Sequence, residues 1–404
     1  MSSTSRLLFS AQDQSHLTRA LSLARQAAAF ASPNPAVGCV LTRDDVVLGE
    51  GAHYYDERDH AEIVALKQAS ASGRSVHGAT AYVTLEPCSH QGRTGPCANA
   101  LIAAGIRRCV VATVDPNPLV RGRGLALLRS ANMAVVLVDP AHPLAQQARS
   151  LNDAFAHFIQ HRRPFVTLKA ALSADGKLAP PPSTQTPASP YWITGTPARA
   201  DVQLLRHASD AILTGIGTVL ADDPSLTDRT GLPRRRPLLR IVLDSNLRIP
   251  SDSRLVTSAA NDLLLVCSQS LVPVGDLRAA QLSSSNLEIL RIPSLHHSLD
   301  ISLDIHSVLR ELAQRQILSV LIEAGARINA AFLSSDLVDR VVLYYSQTEL
   351  GHDAISFAAN SISPFALQQH LLRTTRSTFP SDLVPNGEDV RIAGYLHDPW
   401  VGVA

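Results

Sequence analysis

The sequence lacks most of the features that mark specialised chains. No apolar run approaches the roughly 18 residues that a membrane span needs; the longest, such as Ala134–Val138 and Leu263–Cys267, suit buried strands. Thirty-six Lys and Arg against 35 Asp and Glu leave a net charge of +1, which excludes reliance on bulk charge to hold nucleic acid or anionic lipid. Aromatic residues are only 4% of the chain, too few to interleave with a basic stripe for stacking bases. Five cysteines is an odd count, and Met1–Gln14 has no sustained apolar stretch. Neither a disulfide framework nor an export signal is therefore expected, and the reading is a cytoplasmic protein. No complete Gly-x-Gly-x-x-Gly follows a strand, so an orthodox Rossmann turn is not indicated.

What is present is an ordinary globular composition, 45% hydrophobic and 18% charged, in a 404-residue chain. That length exceeds what one core usually serves, so two domains are expected. Strands alternate with helices in both halves, which predicts two α/β domains. In the first half, helices are expected at His16–Ala28, His60–Ala71, Cys97–Ala104 and Gly124–Ala131, with Asp13 or Ser15 capping the first. Strands are expected at Val37–Leu41, Val46–Gly49, Ala79–Leu85, Arg108–Val114 and Ala134–Val138. A helix over Pro143–Arg163 leaves this domain, giving boundaries of 1–150 and 164–404. Ala179–Pro190, with five prolines and four Ser or Thr, reads as a loop within the second domain.

The strongest chemical signal is His60-Ala61-Glu62, then Pro87-Cys88, then Cys97. One imidazole and two thiolates are good zinc ligands, and three protein ligands leave a position for water. His60 opens a helix, Cys88 follows a strand and Cys97 opens the next helix, where unpaired N–H groups favour thiolate. Glu62 can reach a water at the metal without ligating it. A closed structural site would need a fourth ligand, for which Cys39, His53 and His90 are the local candidates. Zinc nucleobase deaminases share this set but space their cysteines two apart; here Ser89 to Pro96, eight residues, intervene.

The segment Thr84–Cys97 (Thr-Leu-Glu-Pro-Cys-Ser-His-Gln-Gly-Arg-Thr-Gly-Pro-Cys) resembles the deaminase half of the bifunctional riboflavin-biosynthesis deaminase/reductases. So do Asn34–Val40, His60–Glu62, Asp115–Pro118 and Gly122–Gly124. The resemblance implies a cytidine-deaminase-like three-layer domain. In it His60, Cys88 and Cys97 hold Zn2+, and Glu62 moves the proton from water to the leaving amine of an aminopyrimidine. The chain departs from the family pattern at Glu57 and Asp59, where Gly and Pro are usual, and at Gly95, where Pro is common.

In the second half, Gly215-Ile216-Gly217 follows a strand and leads into a polar loop, and Glu323-Ala324-Gly325 ends a strand and opens a helix. Both are places where α/β proteins bind ligands. Lys169–Gly176, Trp192–Thr194, Asp201–Arg206, Ile212–Thr227, Ile241–Ser245 and Ile322–Gly325 resemble the reductase half of the same family, a dihydrofolate-reductase-like domain using NADPH. By that resemblance Ala171, Trp192, Thr218, Asp222, Ser245 and Gly325 meet the cofactor, and Arg206, Leu226, Arg229 and Glu323 meet the substrate. Arginine forks suit a ribose phosphate, and Lys169 and Asp175 are candidate polar groups near the carbon to be reduced. Two departures are Pro190, with Ser189 as a shifted substitute, and Gln347–Gly351 in place of Pro-Lys-Leu-Leu-Gly. The implied reactions are deamination of 2,5-diamino-6-(phosphoribosylamino)pyrimidin-4-one and NADPH-dependent reduction of its ribosyl chain to ribityl. The implied partners are that small molecule and, by analogy, a second copy paired through the reductase domain, with neither nucleic acid nor membrane. A deaminase whose second domain only binds phosphoribosyl compounds is the alternative.

Overall fold

The computed structural model describes residues 9–90, 95–181, 191–270, 273–282, 286–293, 303–359 and 361–403. The chain divides into two units, Met1–Arg162 with Pro399–Ala404, and Arg163–Asp398. Pro190 and Ser189 lie outside the described residues, as do most of the proline-rich loop and 91–94 of the cysteine insert.

The first unit begins with α1 (Ala11–Ala31), whose N-cap is Ser10 rather than Asp13 or Ser15. Asp13 is instead the third helical residue of a capping box, and its buried carboxylate takes Arg108 bidentately at 2.6 and 2.9 Å and the Tyr82 hydroxyl at 2.9 Å. There follow β1 (Gly38–Arg43), β2 (Val46–Ala52), α2 (Ala61–Ala71), β3 (Thr80–Val83), α3 (Cys97–Ala103), β4 (Arg108–Val111), α4 (Arg123–Ser130) and β5 (Ala134–Leu137). The sheet order is β2-β1-β3-β4-β5; β1 runs antiparallel to both neighbours, and β3, β4 and β5 are parallel. Alternate strand residues face opposite helix layers. Val40, Tyr82, Val110 and Val136 pack on Leu17, Ala20 and Leu21 of α1. Leu41, Val83, Cys109 and Val111 pack on Ala61, Ala65, Leu101 and Leu128 of α2, α3 and α4. This is the expected three-layer domain.

The expected helix over Pro143–Arg163 is two helices, α5 (Pro143–Leu151) and α6 (Asp153–His161). Asn152 breaks it because its buried side chain hydrogen-bonds both the Ala36 N–H and the Ala36 carbonyl. The sequence-based assignment gives residues 164–404 to the second domain, yet Trp400 and Val403 are buried in the core of the first unit. A single large aromatic with a polar edge gives a short tail enough apolar area to dock there.

The second unit contains β6 (Phe165–Leu172), β7 (Lys177–Ala179), α7 (Thr196–His207), β8 (Ala211–Gly215), α8 (Ile216–Asp222), β9 (Leu239–Leu243), α9 (Arg254–Thr257) and β10 (Leu263–Ser268). After them come α10 (Pro273–Leu282), β11 (Glu288–Ile292), α11 (Ile305–Gln314), β12 (Ser319–Ile322), α12 (Ala326–Ser334), β13 (Arg340–Tyr345), β14 (Ile355–Ser356), α13 (Pro364–Gln368), β15 (Leu372–Ser381) and β16 (Gly387–Tyr395). Nine strands form one sheet in the order β11-β10-β9-β8-β12-β6-β13-β16-β15, parallel as far as β13 and antiparallel thereafter. The late strand β12 inserts between β8 and β6, so the ends of strands distant in sequence become neighbours. Among the described residues, no helix is long and apolar enough to cross a membrane.

The Asp13 cluster ties α1 to β3 and β4, and Arg108 holds the desolvated Asp13 carboxyl well below the usual carboxylate range. A carboxyl depressed by folding contributes stability that is present above its unfolded value, about 4, and lost as the pH falls. Asp13→Asn should therefore cost the first unit about 3 kcal/mol at pH 7, the scale of a broken buried pair. The gap should narrow steadily below about pH 4. Urea titrations of a Trp192→Phe background, in which Trp400 is the remaining tryptophan, check this; a gap independent of pH would contradict it.

Candidate active sites

In the first unit, β2 gives α2 its seat. Gly49 and Gly51 share one strand face, and a Cβ on Gly51 would lie 2.7 Å from the Ala61 carbonyl oxygen and from the Ala65 nitrogen. The helix therefore rests on bare backbone, with His60 as its extended N-cap residue and Glu62 in its first turn. The loop before it also departs from the family pattern. Arg58 adopts a φ of +65°, and the Asp59 carbonyl accepts a hydrogen bond from His53 Nδ1 at 2.8 Å. The Asp59 carboxylate pairs with Lys67 at 2.5 Å.

Cys88 follows β3 and Cys97 is the first residue of α3. His60 Nδ1 lies 3.5 Å from the Cys88 sulfur and 3.2 Å from the Cys97 sulfur, and the three donor atoms all fall within 4.8 Å of one another. The Cys97 backbone N–H points at the Cys88 sulfur from 3.3 Å. Hydrogen bonds from Cys97 and His60 hold the Cys88 thiol down to about 4, and contact with Cys88 raises the His60 imidazole. One imidazole and two sulfurs converging on a common point fit zinc, whose bonds of about 2.0–2.3 Å place ligand atoms at such separations. Of the candidate fourth ligands, none joins the cluster among the described residues. His53 is buried, with Nε2 on Asn34 at 2.9 Å and Nδ1 on Asp59, Cys39 is buried on β1, and His90 is exposed.

Glu62 is only 3% exposed and lies outside the ligand group. Burial pushes its carboxyl up to about 7, against the pull of His60. A buried carboxyl poised near neutrality can both take and give a proton. Behind Cys88 the buried Glu86 accepts backbone N–H groups from Asp115 and Gly122 on Oε2, at 3.2 and 2.9 Å, and from Gly124 and Leu125 on Oε1, at 2.8 and 3.1 Å. Sequence reasoning passes over Glu86, because nothing in its spacing marks it as the anion at the start of α4.

The second constellation comes from strand register. Ile322 on β12 pairs with Leu168 on β6 and Leu213 on β8, so Glu323, Lys169 and Thr214 occupy the next rung. Glu323 takes the Arg206 guanidinium on both oxygens, at 2.7 and 3.0 Å, and Lys169 Nζ lies 3.6 Å away. Although burial desolvates Glu323, Lys169 and Arg206 hold its carboxyl down to about 2, while burial lowers Lys169. Arg206 also donates to the Thr227 carbonyl at 3.0 Å, so three of its five N–H groups are engaged with protein. Asp175 lies just after β6. Its carboxylate accepts the N–H groups of Leu350 and Gly351 at 3.0 and 2.8 Å and so anchors the altered 347–351 loop.

Thr218 lies beside Gly325, its hydroxyl 3.9 Å from where a Cβ on that glycine would be. Gly325 is the N-cap of α12, with no side-chain cap, and a Cβ on Gly217 would meet open space. Thr214 Oγ1 is buried and has no hydrogen-bond partner among the described residues. Uncapped N–H groups, bare glycines and an orphaned hydroxyl at strand ends fit a phosphate-bearing dinucleotide. Ala171 lies near the end of β6, Leu226 is buried at a φ of +51°, and Ser245 follows β9 and accepts from the Ser268 N–H at 3.1 Å. Trp192, Asp222 and Arg229 are exposed, and no hydrogen bond or ion pair among the described residues joins them to the buried cluster. Arg199 covers the Trp192 ring at 4.7 Å.

Residues 10–113 match the cytidine and deoxycytidylate deaminase zinc-binding region, and residues 164–377 match the RibD C-terminal domain. The riboflavin biosynthesis protein RibD of Escherichia coli (strain K12) is 38% identical over 85% of this chain and 90% of its own length. That of Aquifex aeolicus is 35% identical over 84% of this chain and 88% of its own. Among solved structures, Acinetobacter baumannii RibD superposes with a TM-score of 0.74 at 34% identity, covering 95% of this chain and 99% of that one. A Thermotoga maritima diaminohydroxyphosphoribosylaminopyrimidine deaminase/5-amino-6-(5-phosphoribosylamino)uracil reductase gives 0.75 at 29%, with the same coverage. With both halves matched and the relatives aligned over most of their length, the chain belongs to the RibD family of bifunctional riboflavin-biosynthesis proteins, with a zinc-binding deaminase domain and an NADPH-using reductase domain.

Proposed function

We propose that the first domain hydrolyses the exocyclic amine of 2,5-diamino-6-(5-phosphoribosylamino)pyrimidin-4-one, and that the second then reduces the ribosyl chain of the product to ribityl. The observation that carries the deaminase assignment is the convergence of His60 Nδ1 with the two sulfurs beside a buried Glu62. His60, Cys88 and Cys97 would hold the zinc, which when bound supplies the acidity that makes water a nucleophile near neutral pH. The Glu62 carboxylate takes the proton of the attacking water and returns it to the departing nitrogen, so water and the amine become carbonyl and ammonia. The near-neutral setting of that carboxyl, produced by burial, suits both transfers.

NADPH supplies the hydride for the second reaction. In the opened imine form of the ribosylamine, C1′ accepts that hydride and the adjoining nitrogen takes a proton. Lys169, largely covered on β6 beside Glu323, is the candidate donor of that proton. Glu323 holds Lys169 and Arg206 in place, and Arg206 meets substrate through the N–H groups that Glu323 and Thr227 leave over. The uncapped start of α12, with Thr218 beside it, supports the placement of the cofactor phosphates.

Three substitutions test this reading. Glu62→Gln should keep zinc at wild-type stoichiometry while ammonia release falls by at least a thousandfold; undiminished turnover would refute the proton role. Cys88→Ala should purify with little bound zinc by atomic absorption and release no ammonia, yet still oxidise NADPH when given the deaminated product. Glu323→Gln leaves two buried cations with a weaker partner, so NADPH oxidation should fall at least tenfold with ammonia release unchanged. Equal loss of both activities in Glu323→Gln would contradict the division of labour, and wild-type NADPH oxidation by that variant would refute the role given to Glu323. An unaltered protein that oxidises no NADPH when given the deaminated product would favour a second domain that binds without reducing.

A further inference from the structure

The polypeptide leaves the second unit after Asp398 and ends in the first. We propose that this tail, from Pro399 onward, is a positioning element of the deaminase site; the inference rests on the deaminase reading above.

The tail is built into the domain. Trp400 and Val403 are 3% and 4% exposed and pack with Val114, Leu125, Leu128, Met133 and Ala156 in the core beneath α2, α3 and α4. The Trp400 indole donates to Asp153 at 2.9 Å, and Gln160 donates to the Pro399 carbonyl at 2.6 Å.

Two arginines carry the tail's position to the metal ligands. Arg121 donates to the Gly402 carbonyl at 2.8 Å from one nitrogen and to the Pro116 carbonyl at 2.9 Å from the other. It therefore fastens the loop that follows β4 to the tail. Arg149 donates to the Val403 carbonyl and to the Thr113 hydroxyl, both at 3.2 Å, with the Trp400 ring 5.4 Å from its guanidinium. Thr113 in turn accepts the Glu86 N–H at 2.9 Å, and the Glu86 carboxylate gathers the N–H groups of Asp115 and Gly122 at the two ends of the same loop. Glu86 stands two residues before Cys88. The fit there is close, because a Cβ on Gly124 would fall 2.0 Å from the Pro87 carbonyl oxygen. Moving the loop therefore moves Glu86, Pro87 and the first cysteine with it. Displacements near 1 Å at a reacting centre cost on the order of a hundredfold in rate.

Two variants of the full chain test this. One stops after Asp398. The other, Arg121→Met, keeps the tail and its Trp400 packing but loses both carbonyl hydrogen bonds. Ammonia release reports the first site, NADPH oxidation with deaminated product serves as an internal control, and the visible spectrum of the cobalt-substituted protein reports thiolate geometry. Both variants should lose at least tenfold in kcat/KM for ammonia release and shift the cobalt–thiolate bands, with NADPH oxidation within twofold of wild type. Two active variants with unchanged spectra would overturn the proposal. So would a truncated protein that loses its metal while Arg121→Met behaves as wild type, since the tail would then serve stability alone. A complete chain that releases no ammonia would sink the deaminase reading itself, and the inference with it.

Discussion

Three side chains far apart in sequence must reach one point, and most of the first domain can be understood as what holds them there. His60 arrives because α2 lies against the bare glycine face of β2. Cys88 arrives at the end of β3, and Cys97 at the first residue of α3, whose own N–H faces the Cys88 sulfur. Helix starts and strand ends are fixed by backbone hydrogen bonding on one side and have unsatisfied groups on the other. They can therefore offer ligands at set distances without flexible loops. Burial of Glu62 then raises its carboxyl to about 7.

The second domain uses the same resource differently. Its cluster arises from register, since inserting β12 between β8 and β6 brings Glu323, Lys169 and Thr214 onto one rung. A largely covered carboxylate is tolerable there because two cations flank it. The first site lies beyond the carboxyl end of β3 and the second at the carboxyl end of β12, the side of α/β sheets on which ligands usually bind.

The sequence was informative where chemistry depends on residue type and spacing in contiguous segments. His60, Glu62, Cys88 and Cys97 stand out as candidates from type and spacing alone, and the structure brings the three candidate ligands together. The apolar run Leu263–Cys267 marks a buried strand equally plainly, and the strand spans Leu263–Ser268. What depends on three-dimensional partners was hidden. Asn152 splits a helix because Ala36, over a hundred residues earlier, takes both ends of its amide. The pairing of Arg206 with Glu323 depends on the sheet order, which brings the end of β12 beside it. The hairpin of β15 and β16 leaves little trace in sequence because β15 is mostly exposed and carries no clean alternation. Trp400 is equally silent, because a lone tryptophan late in the chain does not say which domain it enters.

The central claim is that one polypeptide performs two consecutive reactions on one small molecule. A single assay reads it most directly: purified zinc-loaded protein, the diaminopyrimidine substrate and NADPH, with ammonia and NADPH followed together. The account predicts one NADPH oxidised per ammonia released, with oxidation lagging behind release. NADPH consumed without ammonia, or ammonia released with NADPH untouched, would contradict it.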